Sequence, residues 1–421
     1  MDMIVMFGVL FICITLSVPI GISVGIATVV TFALFLDVPL TIIAQSCITG
    51  LDSFTMLAIP FFIMAGIIMG KGGIAKRLVD TFHALVGHLT GGLGIVTVIT
   101  CGFFGSISGS ANATVAAVGG FMIPEMVRKG YDPGYAASVT ACSGTVSLLI
   151  PPSLCLVIYG VTTSTSIGDL FLAGIIPGVM MVIALCFGAY YYARKYNFRG
   201  TEKQPFSVFL RSAWDAKWAF LCPIIILGGI YSGVFTPTEA SVVSVVYAIF
   251  VGFFIYKELT VKLMFEALLD TMKINGMVLY MLGVSLAFSK YLSLAQIPDE
   301  LVAWMTGITD NPIILLLIIN IALLVIGCPI DSFAIIIIMS PLLLPIAVEA
   351  GMTPISFGVL IVLNATIGII TPPYGGNLFI GASIAGVTME HFMKFFWAFF
   401  VGLLIVLMLT TYVPAVTLCL L

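Results

Sequence analysis

Four stretches of the chain carry residues able to hold an ion or a small polar molecule, and each falls where a long apolar run is interrupted. One reads Gly105-Ser106-Ile107-Ser108-Gly109-Ser110-Ala111-Asn112-Ala113-Thr114, and another Gly327-Cys328-Pro329-Ile330-Asp331-Ser332. The other two are Ser143-Gly144-Thr145-Val146-Ser147 ahead of Pro151-Pro152, and Asn364-Ala365-Thr366-Ile367-Gly368-Ile369-Ile370-Thr371 ahead of Pro372-Pro373. A proline pair removes two backbone donors and disfavours α geometry just before it, which frees carbonyl oxygens in the preceding turn. Such oxygens are cation ligands, and hydroxyls or an amide on a facing turn complete a shell of neutral oxygens suited to a hard monovalent ion such as sodium. Two copies of turn plus break imply two cages.

Asp331 is the only carboxylate in the four stretches, which leaves little for a proton relay at membrane depth. It has two readings, a cap on the helix that follows or a group beside the ion or substrate. No Lys or Arg occurs there, so an anion is not held by direct salt bridges. Half-helix N-termini and bound cations supply the positive potential instead. Small residues also allow close helix packing, but packing alone does not account for paired prolines in both halves.

The elements that position these residues follow from composition. Of 421 residues, 61% are hydrophobic and 8% charged, so lipid has to be the solvent. The apolar runs are continuous and do not alternate, which selects helices over a barrel and an all-α polytopic membrane protein as the class. Met1-Asp2 leads into the first run without a basic segment, so that run is expected to be a membrane helix and not a cleaved signal. Spans are expected near 3–17, 20–36, 54–70, 134–166 and 170–193, then near 219–234, 237–256, 277–294, 355–386 and 391–420. Regions of about 90–129 and 311–350 read as re-entrant hairpins. Stretches near 74–88 and 258–273 read as amphipathic helices lying in the membrane interface.

Arg194, Lys195, Arg199, Lys203, Arg211 and Lys217 form the strongest basic cluster, which places the 196–217 linker in the cytoplasm and both termini outside. Counting from there puts Lys71, Lys76, Arg77, Arg128-Lys129, Lys257, Lys262, Lys273 and Lys394 on the cytoplasmic side; Lys290 disagrees. Sliding the chain by about 221 residues brings Pro124, Gly130, Pro133, Thr145, Pro151, Pro152 and Gly160 onto Pro345, Gly351, Pro354, Thr366, Pro372, Pro373 and Gly381. Residues 1–195 and 218–421 are therefore expected to be two copies of one unit. Five crossings per copy make the second upside down, the architecture of secondary transporters. Nine cysteines stand singly with no CxxC pair, and His83, His88 and His391 lie at joints, so neither a disulfide framework nor a metal cluster is expected. Trp214, Trp218, Trp304 and Trp397 fall near span ends, as an aromatic belt would place them.

The chain resembles the large membrane subunit of tripartite ATP-independent periplasmic (TRAP) transporters, the DctM-like proteins. The resemblance covers essentially the whole chain and rests on Gly105 to Ser110, Leu149-Ile150-Pro151-Pro152-Ser153, Gly233-Val234-Phe235-Thr236-Pro237-Thr238-Glu239-Ala240 and Ile370-Thr371-Pro372-Pro373-Tyr374-Gly375. It implies an elevator-type fold, sodium-coupled uptake of a small organic anion, a small four-helix membrane subunit and a soluble periplasmic binding protein that delivers the substrate. The small subunit is expected to be a separate polypeptide. Carried over by position, one sodium lies between Ser106, Ser108, Ser110 or Asn112 and Ser143, Gly144, Thr145 or Ser147. The other lies among Gly327, Cys328, Pro329, Gly368 and Thr371. Ser108, Asn112, Pro151, Pro152, Asp331, Ser332, Pro372 and Pro373 are then expected to face the anion. That anion is a sialic acid, a C4-dicarboxylate or a related carboxylate, and no nucleic-acid partner is expected.

Three other readings compete. A stand-alone sodium/dicarboxylate symporter of the related elevator class shares the hairpin physics but needs no partners. An intramembrane hydrolase with Ser106 or Ser108 as nucleophile requires a His or Lys base that the four stretches lack. A channel-forming or structural subunit leaves the paired cages without a role.

Overall fold

The computed structural model describes residues 2–36, 38–297, 300–302, 307, 309, 311–328, 330–372 and 375–421, with backbone alone for 2–4 and 14. Pro329, Pro373, Tyr374, Trp304, Asp299 and Asp310 lie outside the described residues. Everything regular among the described residues is helical. In the first half run α1 (Asp2–Thr15), α2 (Ile20–Phe35), α3 (Thr41–Leu51), α4 (Ala58–Lys71), α5 (Ile74–Val86), α6 (Gly92–Ser108), α7 (Ala111–Arg128), α8 (Pro133–Gly144), α9 (Leu154–Thr163) and α10 (Ile167–Tyr196). After α11 (Phe206–Asp215) come α12 (Lys217–Tyr231), α13 (Pro237–Phe250) and α14 (Val261–Leu294). Then follow α15 (Pro312–Gly327), α16 (Ser332–Glu349), α17 (Pro354–Gly368), α18 (Gly376–Ala385), α19 (Met389–Met393), α20 (Trp397–Tyr412) and α21 (Ala415–Leu418).

Among the described residues, five helical stretches have the length and apolarity to cross a membrane: Phe54–Lys71, Ile167–Tyr196, Pro237–Ile255, Val261–Leu294 and Ser332–Glu349. The shorter apolar helices include the arms of breaks and hairpins, from Gly92–Ser108 to Gly376–Ala385. Large apolar side chains such as Phe11, Phe187, Ile224, Phe254 and Val325 stand outward over the surface. A water-facing surface of that kind would aggregate, whereas a lipid-facing one is at home.

Helix starts obey local chemistry. Asp132, Asn311 and Thr353 cap α8, α15 and α17 with their side chains, and each is followed by proline, whose missing N–H costs nothing at a first helical position. Thr236 and Glu239 form a reciprocal capping box ahead of α13, with Pro237 between them.

Short turns join α6 to α7 and α15 to α16, and a helix ends shortly before each proline pair. α6 and α7 turn back on each other through Gly109, whose φ of +60° suits glycine. α8 tightens into a 3-10 turn over Thr145–Leu148 before the proline pair, and α17 stops at Gly368.

One expectation needs correction, and two stretches between expected spans hold helices of their own. The stretch near 258–273 is not a separate interfacial helix: Val261–Leu294 is one helix that absorbs the span expected at 277–294. Lys273-Ile274-Asn275-Gly276 is polar, but it holds no proline and no left-handed residue, so nothing interrupts the hydrogen-bond ladder. The 37–53 segment, read as a joint, contains α3. The basic linker contains α11, which is amphipathic. The 74–88 helix is found as α5, set off from α4 by Gly73 at φ +78°. Ion pairs from Lys71 to Asp270 (2.8 Å) and from Arg77 to Glu258 (2.7 Å) join segments that charge counting placed on one side.

The packing falls into two groups. α1 packs on α2; α2, α3 and α4 pack on α14; and α4 lies along α13. The hairpins, the broken helices, α10 and α20 make the other group. Within it the second hairpin arms are shared: α7 packs on α8 and on α18, while α16 packs on α17 and on α9. Each arm therefore touches the first half of its own break and the second half of the other. α4 meets the second group through α6 and α9.

Candidate functional site

The four polar stretches converge. Gly105 lies so close to Ser147 that a side chain there would run into it, and Gly144 is equally closed in by Val115 of α7. Gly109 faces Leu154 at the start of α9. On the other side, a methyl on Gly368 would sit 2.8 Å from the Cα and the carbonyl oxygen of Gly327. The Ser332 hydroxyl donates to Ala365 O (3.3 Å), and the Cys328 thiol reaches Thr371 O (3.4 Å) and Pro372 O (3.2 Å). The halves also cross: Asn112 Oδ1 stands by Gly376 of α18, and Asp331 lies within electrostatic range of Cys155 of α9.

Hydroxyl orientation decides what the cluster can hold. Ser106 donates to Phe103 O (2.8 Å), Ser143 to Val139 O (2.5 Å), Thr145 to Cys142 O (2.6 Å), Ser147 to Gly144 O (2.6 Å) and Thr371 to Ile367 O (2.9 Å). A hydroxyl that has given its proton to a carbonyl presents only lone pairs elsewhere, which suits a cation and repels an anion. Ser106, Ser143, Gly144, Thr145, Ser147, Gly327 and Gly368 are buried, as are Pro151, Pro152 and Ser332. Ser108, Ser110, Cys328, Thr371 and Pro372 are half-buried, and Asn112 and Asp331 are exposed. Water-facing polar groups thus sit at the two tips, above buried neutral oxygens. The buried donors here are neutral hydroxyl oxygens, a set that suits a monovalent ion better than a divalent one.

Ser108 is tied into its own turn by Thr114 Oγ1 (2.9 Å), and Thr114 donates to Ser110 O (2.8 Å). Ser110 caps α7 through Ala113 N (3.4 Å), and Asp331 caps α16 through Phe333 N (3.0 Å). Four helix N-termini, those of α7, α9, α16 and α18, meet around the cluster, two from each half. Their unpaired N–H groups favour negative charge close by. Pro329 and Pro373 belong to this region by position but lie outside the described residues.

Not every expected residue faces the same space. Pro151 and Ser106 also line an apolar cavity of about 550 Å³ between α6, α10 and α12, in which Ser106 is the only polar side chain among the described residues. Its described lining offers a carboxylate no charged partner.

Sequence reasoning passed over one polar network. Asn364 Nδ2 donates to Asn320 Oδ1 (2.7 Å), and Asn320 Nδ2 donates to Thr411 Oγ1 (2.9 Å), all fully or nearly fully buried. Asn377, at the start of α18, donates to Ala141 O (3.3 Å) and so bolts the second break to the first. Among the described residues the amide oxygens of Asn364 and Asn377 and the Thr366 hydroxyl have no hydrogen-bond partner, so the cluster holds oxygens not committed to these residues. The available signal was Asn320, an amide alone in an apolar run at membrane depth. His83 is half-buried against Thr201 Oγ1 (3.3 Å), and His391 pairs with Asp132 (2.9 Å), away from the cluster.

The family model of the tripartite ATP-independent periplasmic transporter DctM component matches residues 7–416. The chain is 39% identical over 398 residues to the C4-dicarboxylate TRAP transporter large permease protein DctM of Pseudomonas aeruginosa, covering 94% of this chain and 93% of that one. It is 37% identical over 404 residues to the sialic acid TRAP transporter large permease protein SiaM of Vibrio cholerae, covering 96% and 95%. It is 38% identical over 413 residues to the isethionate TRAP transporter permease protein DctMQ of Oleidesulfovibrio alaskensis, covering 98% of this chain but only 65% of that longer protein. Among solved structures, the Alcanivorax borkumensis YdaH transporter has a like fold, with a TM-score of 0.65 at 13% identity over 92% of this chain and 97% of that one.

Proposed function

Because the chain belongs to the DctM component family of tripartite ATP-independent periplasmic transporters, we propose that it takes up a small organic anion using a sodium gradient. It is an integral membrane transporter permease and not an enzyme. The supporting observation is the convergence of two hairpin tips and two helix breaks, with hydroxyl protons turned inward and helix N-termini turned toward a common space. Buried oxygens of Ser106, Ser143, Thr145 and Ser147 would hold one sodium, and those around Gly327, Gly368 and Thr371 a second. The anion would rest above them, between Asn112 and Asp331, drawn by the α7, α9, α16 and α18 N-termini and by the bound cations. Asp331 is a carboxylate beside that path, so it would act as cap and orienting group while sodium offsets its charge. The relatives are named for C4-dicarboxylate, sialic acid and isethionate, and a small carboxylate or sulfonate fits the same chemistry.

The two halves would be inverted repeats, since helix bounds coincide under the shift of about 221 residues: α6 with α15, α7 with α16, α8 with α17 and α9 with α18. The hairpin-bearing group would travel as an elevator against the group built on α4, α13 and α14. A small four-helix membrane subunit and a periplasmic binding protein would complete the system in the inner membrane, with both termini outside. The test is uptake into proteoliposomes containing this chain and those partners. Labelled C4-dicarboxylate, sialic acid or isethionate should enter only with an inward sodium gradient. Equal uptake from sodium-free medium under a proton gradient would overturn the coupling, and uptake of free substrate without any partner would favour a stand-alone symporter.

A further inference from the structure

Outside the transport cluster, six charged side chains surround a pocket of about 490 Å³ between α5, α11, the start of α12 and the loop after α13. Its walls are fixed by contacts that use up part of the charge. Arg77 pairs with Glu258 (2.7 Å), donates to Gly73 O (2.9 Å) and stacks on Tyr256 at 3.8 Å. Thr81 donates to Ser212 O (3.1 Å), and Tyr256 OH donates to Asp215 O (3.2 Å). What remains is two cations, Lys76 and Lys217, and two carboxylates, Asp80 and Asp215, none of them in an ion pair among the described residues. Lys217 lies 3.5 Å over the Trp214 ring. Desolvation raises the Asp80 carboxyl above its ordinary range even with Lys76, His83 and Arg77 nearby.

The approach to the pocket is apolar. Phe206, Leu210 and Trp214, four residues apart on α11, are 68%, 54% and 69% exposed, and α11 buries none of its residues. An uncovered stripe on an amphipathic helix beside membrane spans lies at the lipid boundary. At its end stand Trp214 and Trp218, the residue type that anchors there.

We propose that this pocket binds the headgroup of one zwitterionic phospholipid, its phosphate on Lys76 and Lys217, its primary ammonium on Asp80 and Asp215, and its acyl chains along the α11 stripe. Equal numbers of unpaired cations and anions match a headgroup that carries one of each, whereas an anionic lipid would leave both carboxylates unanswered. A primary ammonium donates three hydrogen bonds, which suits carboxylate acceptors better than a quaternary one.

The test is native mass spectrometry of the full chain released from vesicles of equal phosphatidylethanolamine and phosphatidylglycerol. One phosphatidylethanolamine should remain bound, and Lys76→Ser with Lys217→Ser should weaken its retention about tenfold, as loss of a charge-assisted contact does. Asp80→Asn with Asp215→Asn should switch the preference to phosphatidylglycerol, a gain that misfolding cannot produce. The single change Asp215→Asn, at an exposed position, should shift it in the same direction. Equal retention of both lipids by the unaltered chain, an unchanged preference in the carboxylate variants, or a partner protein's segment protecting Lys76 and Lys217 in place of lipid would overturn the assignment.

Discussion

The chemistry of single residues here turns on where protons and amide groups point. Neutral oxygens were legible in the sequence because serine and threonine crowd two proline-interrupted segments; their orientation was not, since a hydroxyl's partner is set by the helix it sits in. Thr371 illustrates this, with its proton committed to Ile367 O. Thr371→Ala should raise the sodium concentration for half-maximal uptake about tenfold, roughly 1.4 kcal/mol for one lost ligand, and sodium titration of transport reads it directly. The Asn320–Asn364 pair was harder to foresee, because its partners lie 44 positions apart and meet only in the fold. Asn320→Leu strands a buried amide and should cost about 1–3 kcal/mol in thermal unfolding. Asn320→Leu combined with Asn364→Leu should recover part of that loss, since no orphaned donor remains.

At the level of elements, proline and glycine punctuation found the hairpins and breaks to within a few residues, while polarity misled. Lys273-Ile274-Asn275-Gly276 looks like a gap between helices, yet a helix can carry polar residues through as long as its ladder is intact. α3 was missed because its eleven residues, Thr41–Leu51, resemble a joint, although their partners under the repeat shift fall inside α14. Close approach of tip and break is the feature no pattern announces. Gly105 permits it, and Gly105→Val should lower stability by about 1–3 kcal/mol through overpacking against Ser147. Uptake should fall further than that cost alone explains, as comparison of unfolding midpoints with transport rates in the same preparation would show.

Over the whole molecule, the two packing groups meet at α4, against α6 and α9, and at α14, against α16. Gly66 brings α4 into backbone contact with Ser108 at the first hairpin tip, where a methyl would lie 2.5 Å from the Ser108 carbonyl oxygen. Gly66→Leu should therefore disfavour this arrangement and populate states in which the tip has left α4. Labelling of a cysteine introduced at exposed Asn112 should change in rate if the hairpin group moves as a body, and stay constant if it does not.

The exchange of hairpin arms between the halves has a consequence for assembly. α7 needs a surface made partly by α18, and α16 needs one made partly by α9, so neither half can complete its own fold in isolation. Two polypeptides severed between Lys203 and Gln204, each unstable by itself, should complement one another when produced in the same cell, whereas either fragment expressed singly should be degraded.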